Sequence, residues 1–176
     1  MREICTQIGD GLHGTPQYAE NGQYPFINGN NLSDGKIVIT PSTKFVDIAE
    51  FRRLFIDLSS NTILLSINGT LGKLAFYHGE EVVFGKSACY CDFISEINKI
   101  FMFCLMNTAS FQNFLEESAT KSTIKNVGLK AIRDFRVILP PLELQNEFAA
   151  FIEQLDKSKV IYNKTYNVVE KLQIVV

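Results

Sequence analysis

From Leu142 to Val176 the chain runs 35 residues without a glycine or proline, directly after Pro140-Pro141. Proline is favoured in a first helical turn, and Glu143 and Glu147 stand where negative charge suits the helix dipole. The spacing predicts one helix over the whole segment, a rod of roughly 50 Å at 1.5 Å per residue. Phe148, Phe151, Leu155, Tyr162, Val169 and Leu172 fall on an alternating 3-4 spacing, with Ser158 and Thr165 in the same seam. Such a rod is too long to be buried all round in a chain of 176 residues. The seam predicts a coiled coil with a partner helix. The alternative is a helix folded back along its own domain.

The double proline therefore divides the chain into a globular part, 1–140, and a helical part, 141–176. Apolar residues make up 46% and charged residues 20% of the chain, a globular composition. Residues 9–36 are rich in Gly, Asn and Pro and read as turns, with a short strand at Phe26–Asn28. Strands are expected at Ile37–Thr40, Ile63–Ile67 and Ala88–Phe93, and a short helix at Val46–Phe55. Lys73–Tyr77 and Val82–Phe84 read as a hairpin turning at His78-Gly79-Glu80. Ile100 to Leu105 form an apolar helical run after Asn98. Phe111, Phe114 and Leu115 repeat at helical spacing behind a cap at Thr108 or Ser110. A polar loop at 118–126 and a strand at Phe135–Leu139 complete the domain. The expected class is mixed α/β (α+β): a twisted, largely antiparallel sheet with flanking helices, plus the long C-terminal helix.

No stretch of 18 uncharged apolar residues predicts a membrane span, and the first ten residues have no apolar signal core. A cytoplasmic location follows as the default. The cysteines Cys5, Cys89, Cys91 and Cys104 lack the paired spacing of a zinc site and read as buried free thiols, so no metal is expected. Gly79 to Ser87 resembles a phosphate loop, but it has five residues between glycines where four are needed, three of them Val, Val and Phe. Cys89 or Cys91 with His78 is the only arrangement hinting at a nucleophile, and no helix N-terminus in the local sequence would activate either thiol. A small cysteine-dependent hydrolase stays as one alternative. A helix-mediated protein interaction module is another.

The formal charge of −2 excludes a general polycation, not a local basic face. Between Lys121 and Arg136 lie five cations, Lys121, Lys125, Lys130, Arg133 and Arg136, opposed in that run only by Asp134. Ser122, Thr123 and Asn126 add neutral hydrogen-bonding groups. This mixture suits a DNA surface, or simply a solvated charged face. Two further loops have compatible chemistry or plain turn chemistry. Thr15, Gln17 and Tyr18 offer a hydroxyl, an amide and a ring. Asn68, Thr70 and Lys73 flank Gly69 and Gly72, where backbone can approach a partner. Lys121 and Lys125 are expected to meet phosphates with no competing acid nearby, and the amides of Gln17 and Asn126 suit adenine.

The same loops carry a resemblance. Asp10-Gly11-Leu12-His13-Gly14-Thr15-Pro16-Gln17-Tyr18, then Gly22-Gln23-Tyr24-Pro25-Phe26-Ile27, Leu64-Leu65-Ser66-Ile67-Asn68-Gly69-Thr70-Leu71-Gly72, Phe111-Gln112, Lys125-Asn126 and Pro140-Pro141-Leu142 occur in this order. The series resembles a target recognition domain of the specificity (S) subunit of Type I restriction-modification enzymes. The resemblance implies that the globular part reads double-stranded DNA and that the helix acts as a spacer. Methyltransferase (M) subunits, and through them restriction (R) subunits, would be partners. Catalysis and S-adenosylmethionine would belong to those partners, leaving this chain with no cofactor. A homodimer through the helix is a further expectation. The chain departs from the family in carrying one such domain and one helix where the family has two of each, as a half-subunit or fragment would. It also lacks tryptophan, and Leu144-Gln145 replaces the usual Glu-Gln.

Overall fold

The structure, a computed structural model, describes the backbone of residues 1–173 and the side chains of residues 1–157. Two compact units divide it, Met1–Ile138 and Leu139–Val176. The first unit is built on a four-stranded sheet in which every neighbouring pair is antiparallel. Its strands are β1 (Cys5–Asp10), β6 (Thr62–Ser66), β7 (Leu74–Phe76) and β9 (Ala88–Phe93), in the order β1-β9-β6-β7. All five residues of β6 are buried, so its run Thr-Ile-Leu-Leu-Ser needs no polar alternation. A three-stranded sheet packs beside it, with β2 (Tyr24–Ile27) between β5 (Lys44–Val46) and β8 (Val83–Phe84). A small ladder joins β3 (Leu32–Ser33) to β4 (Lys36–Ile37). Its turn residues Asp34 and Gly35 have φ of 49° and 78°, the positive pair that a two-residue hairpin turn requires.

Helix α1 (Ile48–Leu54) starts at Asp47, whose carboxylate accepts the Glu50 N–H at 2.8 Å. Helix α2 (Lys99–Met106) is capped by Asn98, which accepts the N–H groups of Ile100 and Phe101. Helix α3 (Ala109–Ser118) is capped by Thr108, which takes the role over Ser110. Phe111 and Leu115 are fully buried, as the helical spacing of α3 predicts, with Phe114 half-buried. In α2 the fully buried side chains are Met102 and Met106, and the apolar run named from the sequence, Ile100, Phe101, Phe103, Cys104 and Leu105, is only half-buried. Helix α5 (Leu142–Gln173) is continuous, in agreement with the absence of helix breakers. No helix among the described residues is long and apolar enough to cross a membrane.

Three expectations fail. The strand expected at Ile37–Thr40 is cut to its first residue, Ile37 of β4, which pairs with Leu32, and residues 38–40 lie in no strand. The hairpin between Lys73–Tyr77 and Val82–Phe84 does not form. β8 leaves β7 and pairs in parallel with β2, Phe26 opposite Val83 and Ile27 opposite Phe84. The reason is burial on both faces: Val83 belongs to a cluster with Phe26, Val46 and Phe51, whereas Val82 and Phe84 pack with Ile27, Leu32 and Leu64. An edge hairpin would have left one of those faces in water. The expected strand at Phe135–Leu139 is also absent, and a short helix, α4 (Leu129–Asp134), stands in the segment before it. The Phe135 ring packs edge-on against Phe111 with centroids 4.9 Å apart, and its carbonyl accepts the Met1 amino group at 2.6 Å. The segment is thus held by a ring contact and by the chain terminus, and not by a ladder.

All four cysteines are free, but only Cys89 and Cys91 are buried as expected, both completely, in β9, whereas Cys5 and Cys104 are half-buried. The Cys5 thiol is raised well above its usual range, first by its hydrogen bond with Cys91 and then by burial. A raised, protonated thiol is a poor nucleophile. His78 is exposed beyond β7, so the cysteine-hydrolase alternative finds no support in the geometry.

Candidate nucleic-acid interface

The loop after β6 and the loop after α3 meet through their backbones. Gly69 N–H donates to the Lys125 carbonyl at 2.9 Å, and Val127 N–H donates to the Ile67 carbonyl at 2.9 Å. These two bonds flank Asn68 and Asn126, which face each other as an isolated antiparallel bridge. Residues opposed in this way, without exchanging hydrogen bonds themselves, form the narrow type of antiparallel pair, with Cα atoms about 4.5 Å apart and side chains close. Here the two amides touch: Asn68 Nδ2 donates to Asn126 Oδ1 at 3.1 Å. Positive φ at Gly69 (76°) and Gly72 (79°) allows the first loop to turn this tightly. A side chain at 72 would meet Gln112 Oε1 at 1.9 Å, so α3 sets how close that turn lies.

The polar loop is ordered by its own hydroxyls. Thr120 Oγ1 accepts the Asn126 N–H at 3.1 Å, and Ser122 Oγ donates to the Ile124 carbonyl at 2.6 Å. Lys121, Ser122 and Thr123 are exposed at its surface, and Ile124 stands 63% exposed among them. Lys125 contradicts the expectation of no competing acid, because Glu116 near the end of α3 holds its ammonium at 2.5 Å. Two other cations of the run are also committed. Lys130 pairs with Asp134 at 2.5 Å, and Arg133 Nη2 donates to the Ile8 carbonyl at 2.7 Å. Asp134 is held below the usual carboxylate range by its hydrogen bond with Lys130. Among the described residues, Lys73, Lys86 and Lys121 make no ion pair.

Asn68 and Asn126 line a cleft of about 450 Å³, together with Asp10, His13, Ile67, Lys86, Val127, Gly128 and Leu129. His13 Nε2 lies 2.9 Å from Asp10 Oδ2. Lys86 reaches this cleft because its N–H donates to the Leu12 carbonyl at 3.0 Å, tying the end of β8 to the chain after β1. Asp10, His13 and Lys86 were not expected at this site. Asp10 and His13 stand in the same motif as Thr15 and Tyr18, and Lys86 stands in the rejected phosphate-loop look-alike, so both signals were present in the sequence.

Thr15, Gln17 and Tyr18 lie elsewhere on the same unit, and none of them lines the cleft. Gln17 N–H donates to Glu50 Oε1 at 2.9 Å, and the Tyr18 ring meets Phe26 edge-on at 5.9 Å. Glu50 is buried and takes two further bonds from Arg53, at 2.8 and 2.6 Å. The Arg53 guanidinium, followed by the Gln17 N–H, pulls its carboxyl down to about 2. The Thr15 and Gln17 side chains are exposed, and this loop sits on the three-stranded sheet and α1. Thr70 is exposed and Lys73 half-buried, the latter with its backbone N–H donating to Ser66 Oγ at 2.8 Å. In the second unit, Phe148, Phe151 and Leu155 are all exposed. The side chains of Tyr162, Val169 and Leu172 lie outside the described residues. No group of three His, Cys, Asp or Glu side chains able to hold a metal occurs among the described residues.

Two loops thus meet through a pair of amides at a cleft that Asp10, His13 and Lys86 also line. The chain belongs to the Type I restriction modification DNA specificity domain family, matched over residues 2–171. Its fold is similar to that of the Type I restriction-modification S subunit from M. genitalium, with a TM-score of 0.59 at 16% identity. That similarity covers 89% of this chain and 37% of the other. A structure described as the basis of complex assembly and conformational transition of the type I R-M system gives a TM-score of 0.65 at 17% identity over 93% of this chain and 38% of that one. The HsdS subunit from Thermoanaerobacter tengcongensis gives 0.63 at 16% identity over 93% and 37%. The chain therefore spans less than two-fifths of each of these relatives.

Proposed function

We propose that this chain reads one part of a double-stranded DNA target and carries no reaction of its own, with methyl transfer and cleavage left to partner methyltransferase and restriction subunits. The observation that carries the reading is the union of the loops at 67–73 and 120–127 through the Asn68–Asn126 pair, in a chain of the DNA specificity domain family. Lys121, Ser122, Thr123 and Lys125, with Lys73, Lys86 and Thr70 near the same loops, supply phosphate contacts that hold register. Thr15, Gln17 and Tyr18 supply a second contact area on the smaller sheet. The recognition domain covers 1–140 and the spacer helix 141–176. The exposed side chains of Phe148, Phe151 and Leu155 are the part of the seam on which that helix pairs with another helix, in a second copy or in a partner subunit. No cofactor is required, and the site of action is the cytoplasm, where DNA is found.

Mobility shifts between 50 and 200 mM salt test the function. The full chain should bind duplex DNA with an affinity that falls with salt. Replacing Lys73, Lys86 or Lys121 by alanine should lower the slope of log K against log salt by about 0.9 per lost phosphate contact. A folded chain whose binding is absent, or indifferent to salt and to all three substitutions, would refute the proposal.

A further inference from the structure

We infer that Asn68 and Asn126 act as one coupled amide unit that reads a single adenine in the major groove; the inference rests on the DNA-reading function proposed above. One hydrogen bond joins the two side chains, Asn68 Nδ2 to Asn126 Oδ1 at 3.1 Å, and it uses one donor and one acceptor. That bond takes one of the two N–H groups of Asn68 Nδ2 and one lone pair of Asn126 Oδ1. The atoms it leaves wholly unengaged are Asn68 Oδ1, an acceptor, and Asn126 Nδ2, a donor, and neither has another protein partner among the described residues. Turning both amides over reverses their order but still leaves one acceptor and one donor. Both residues line the open cleft, and neither is fully buried.

This pattern selects among bases. Adenine presents a donor, N6–H, beside an acceptor, N7, and so matches one acceptor plus one donor. Guanine presents two acceptors there, cytosine a donor alone, and thymine an acceptor and a methyl group. A lone surface asparagine can make the same contact but must first be ordered, which costs side-chain entropy. The narrow backbone pair and the amide-to-amide bond do that ordering before DNA arrives. The side-chain bond is not needed to join the loops, since the Gly69 and Val127 backbone bonds already do so. The unit is also divided between two loops 58 residues apart, so neither asparagine can hold its geometry without the other.

Selection from a pool of randomised duplexes by the full chain at low salt, followed by sequencing of the bound fraction, tests the unit. The wild type should select a motif with adenine at one position. Asn68→Ala and Asn126→Ala should each relax that same position by about tenfold or more, leaving the other positions unaltered. The double variant should relax it no further than either single one. Asn68→Asp should move the preference at that position from adenine toward cytosine, because the introduced carboxylate accepts from Asn126 Nδ2 and leaves acceptor oxygens facing the cytosine N4 donor. Thermal unfolding of each variant separates these effects from loss of fold. Single variants that relax different positions, losses that add in the double variant, or a motif unchanged in all variants would overturn the coupled unit and leave DNA reading intact. A folded wild type that selects no motif would remove the DNA-reading function and the unit with it.

Discussion

The ion pair between Lys125 and Glu116 makes an argument about competition that experiment can settle. In the free chain the Lys125 ammonium lies 2.5 Å from the Glu116 carboxylate, with both side chains 53% exposed. An ion pair this exposed contributes about 0.2–1 kcal/mol, so removing it changes stability little. A phosphate that takes Lys125 must first displace Glu116. Glu116→Gln removes the competitor and a negative charge near the DNA, and should tighten binding by up to about fivefold, the equivalent of that same energy. Lys125→Ala should do the reverse and leave a signature in salt. One phosphate contact contributes a slope of about 0.9, so a fourfold rise in salt erodes it by about 3.5-fold. The wild type's advantage over Lys125→Ala should therefore shrink by about that factor between 50 and 200 mM salt. In the combined variant the glutamine should have a smaller effect than it has beside Lys125, because the part of its action that passes through the lysine is gone. Fluorescence anisotropy on one duplex across the salt range measures all four chains. A Glu116→Gln chain that binds no more tightly, or a Lys125→Ala chain with the wild-type salt slope, would show that Lys125 stays with Glu116 and that the loop meets DNA by other groups.

Three further outcomes follow from the structure. Gly72→Ala should lose about 1–3 kcal/mol in urea unfolding, because φ is 79° and the new methyl group would stand 1.9 Å from Gln112 Oε1. Gly69→Ala, at φ 76° with nothing within 4 Å, should lose only the conformational part of that, about 1 kcal/mol, and equal losses would count against the close approach of α3. Glu50 titrates at about 2 instead of its ordinary 4.5, so its contribution to stability is complete above about pH 4.5 and is lost as pH falls toward 2. The melting temperature of Glu50→Gln should accordingly lie below the wild type at neutral pH and converge with it across that window, and a constant gap down to pH 2 would exclude the ion pair as the cause. Phe151→Glu with Leu155→Glu should abolish any concentration-dependent association in sedimentation while the first unit stays folded; a wild type already monomeric at high micromolar concentration would remove the pairing helix.

Much of the fold was legible because its signals are local. β6 and α3 each carry a run whose period matches its burial, α2 is marked by its apolar run alone, and Asn98 and Thr108 are side chains whose oxygens cap helices. The failures share a physical cause. β8 is two residues long and buried on both faces, and such a run reads the same whether its partner is the preceding strand or a strand in another sheet. α4 begins at Gly128 with no side-chain cap and buries only Ile132, so neither a start signal nor an apolar stripe announces it. Phe135 to Ile138 does alternate inward and outward, with Ile138 at 92% exposure, yet alternation alone cannot say whether a neighbouring strand exists to complete a ladder.

The candidate site shows the same division between what is local and what is not. Turn chemistry at Gly69 and Gly72 and the polarity of 120–126 mark two loops that leave the core. Nothing in either loop states that they meet, since the contact joins residues 58 positions apart and depends on where β6 ends relative to α3. Charge was misleading for a related reason. A count of cations along Lys121 to Arg136 takes each as available, whereas folding gives Glu116 to Lys125, Asp134 to Lys130 and the Ile8 carbonyl to Arg133. Lys86, distant in sequence, is brought to the cleft by the backbone bond to Leu12 and has no ion pair among the described residues. The electrostatic face of this domain is therefore set by which cations the fold leaves unpaired, so a substitution at Glu116 or Asp134 changes the surface offered to a phosphate as directly as one at a lysine.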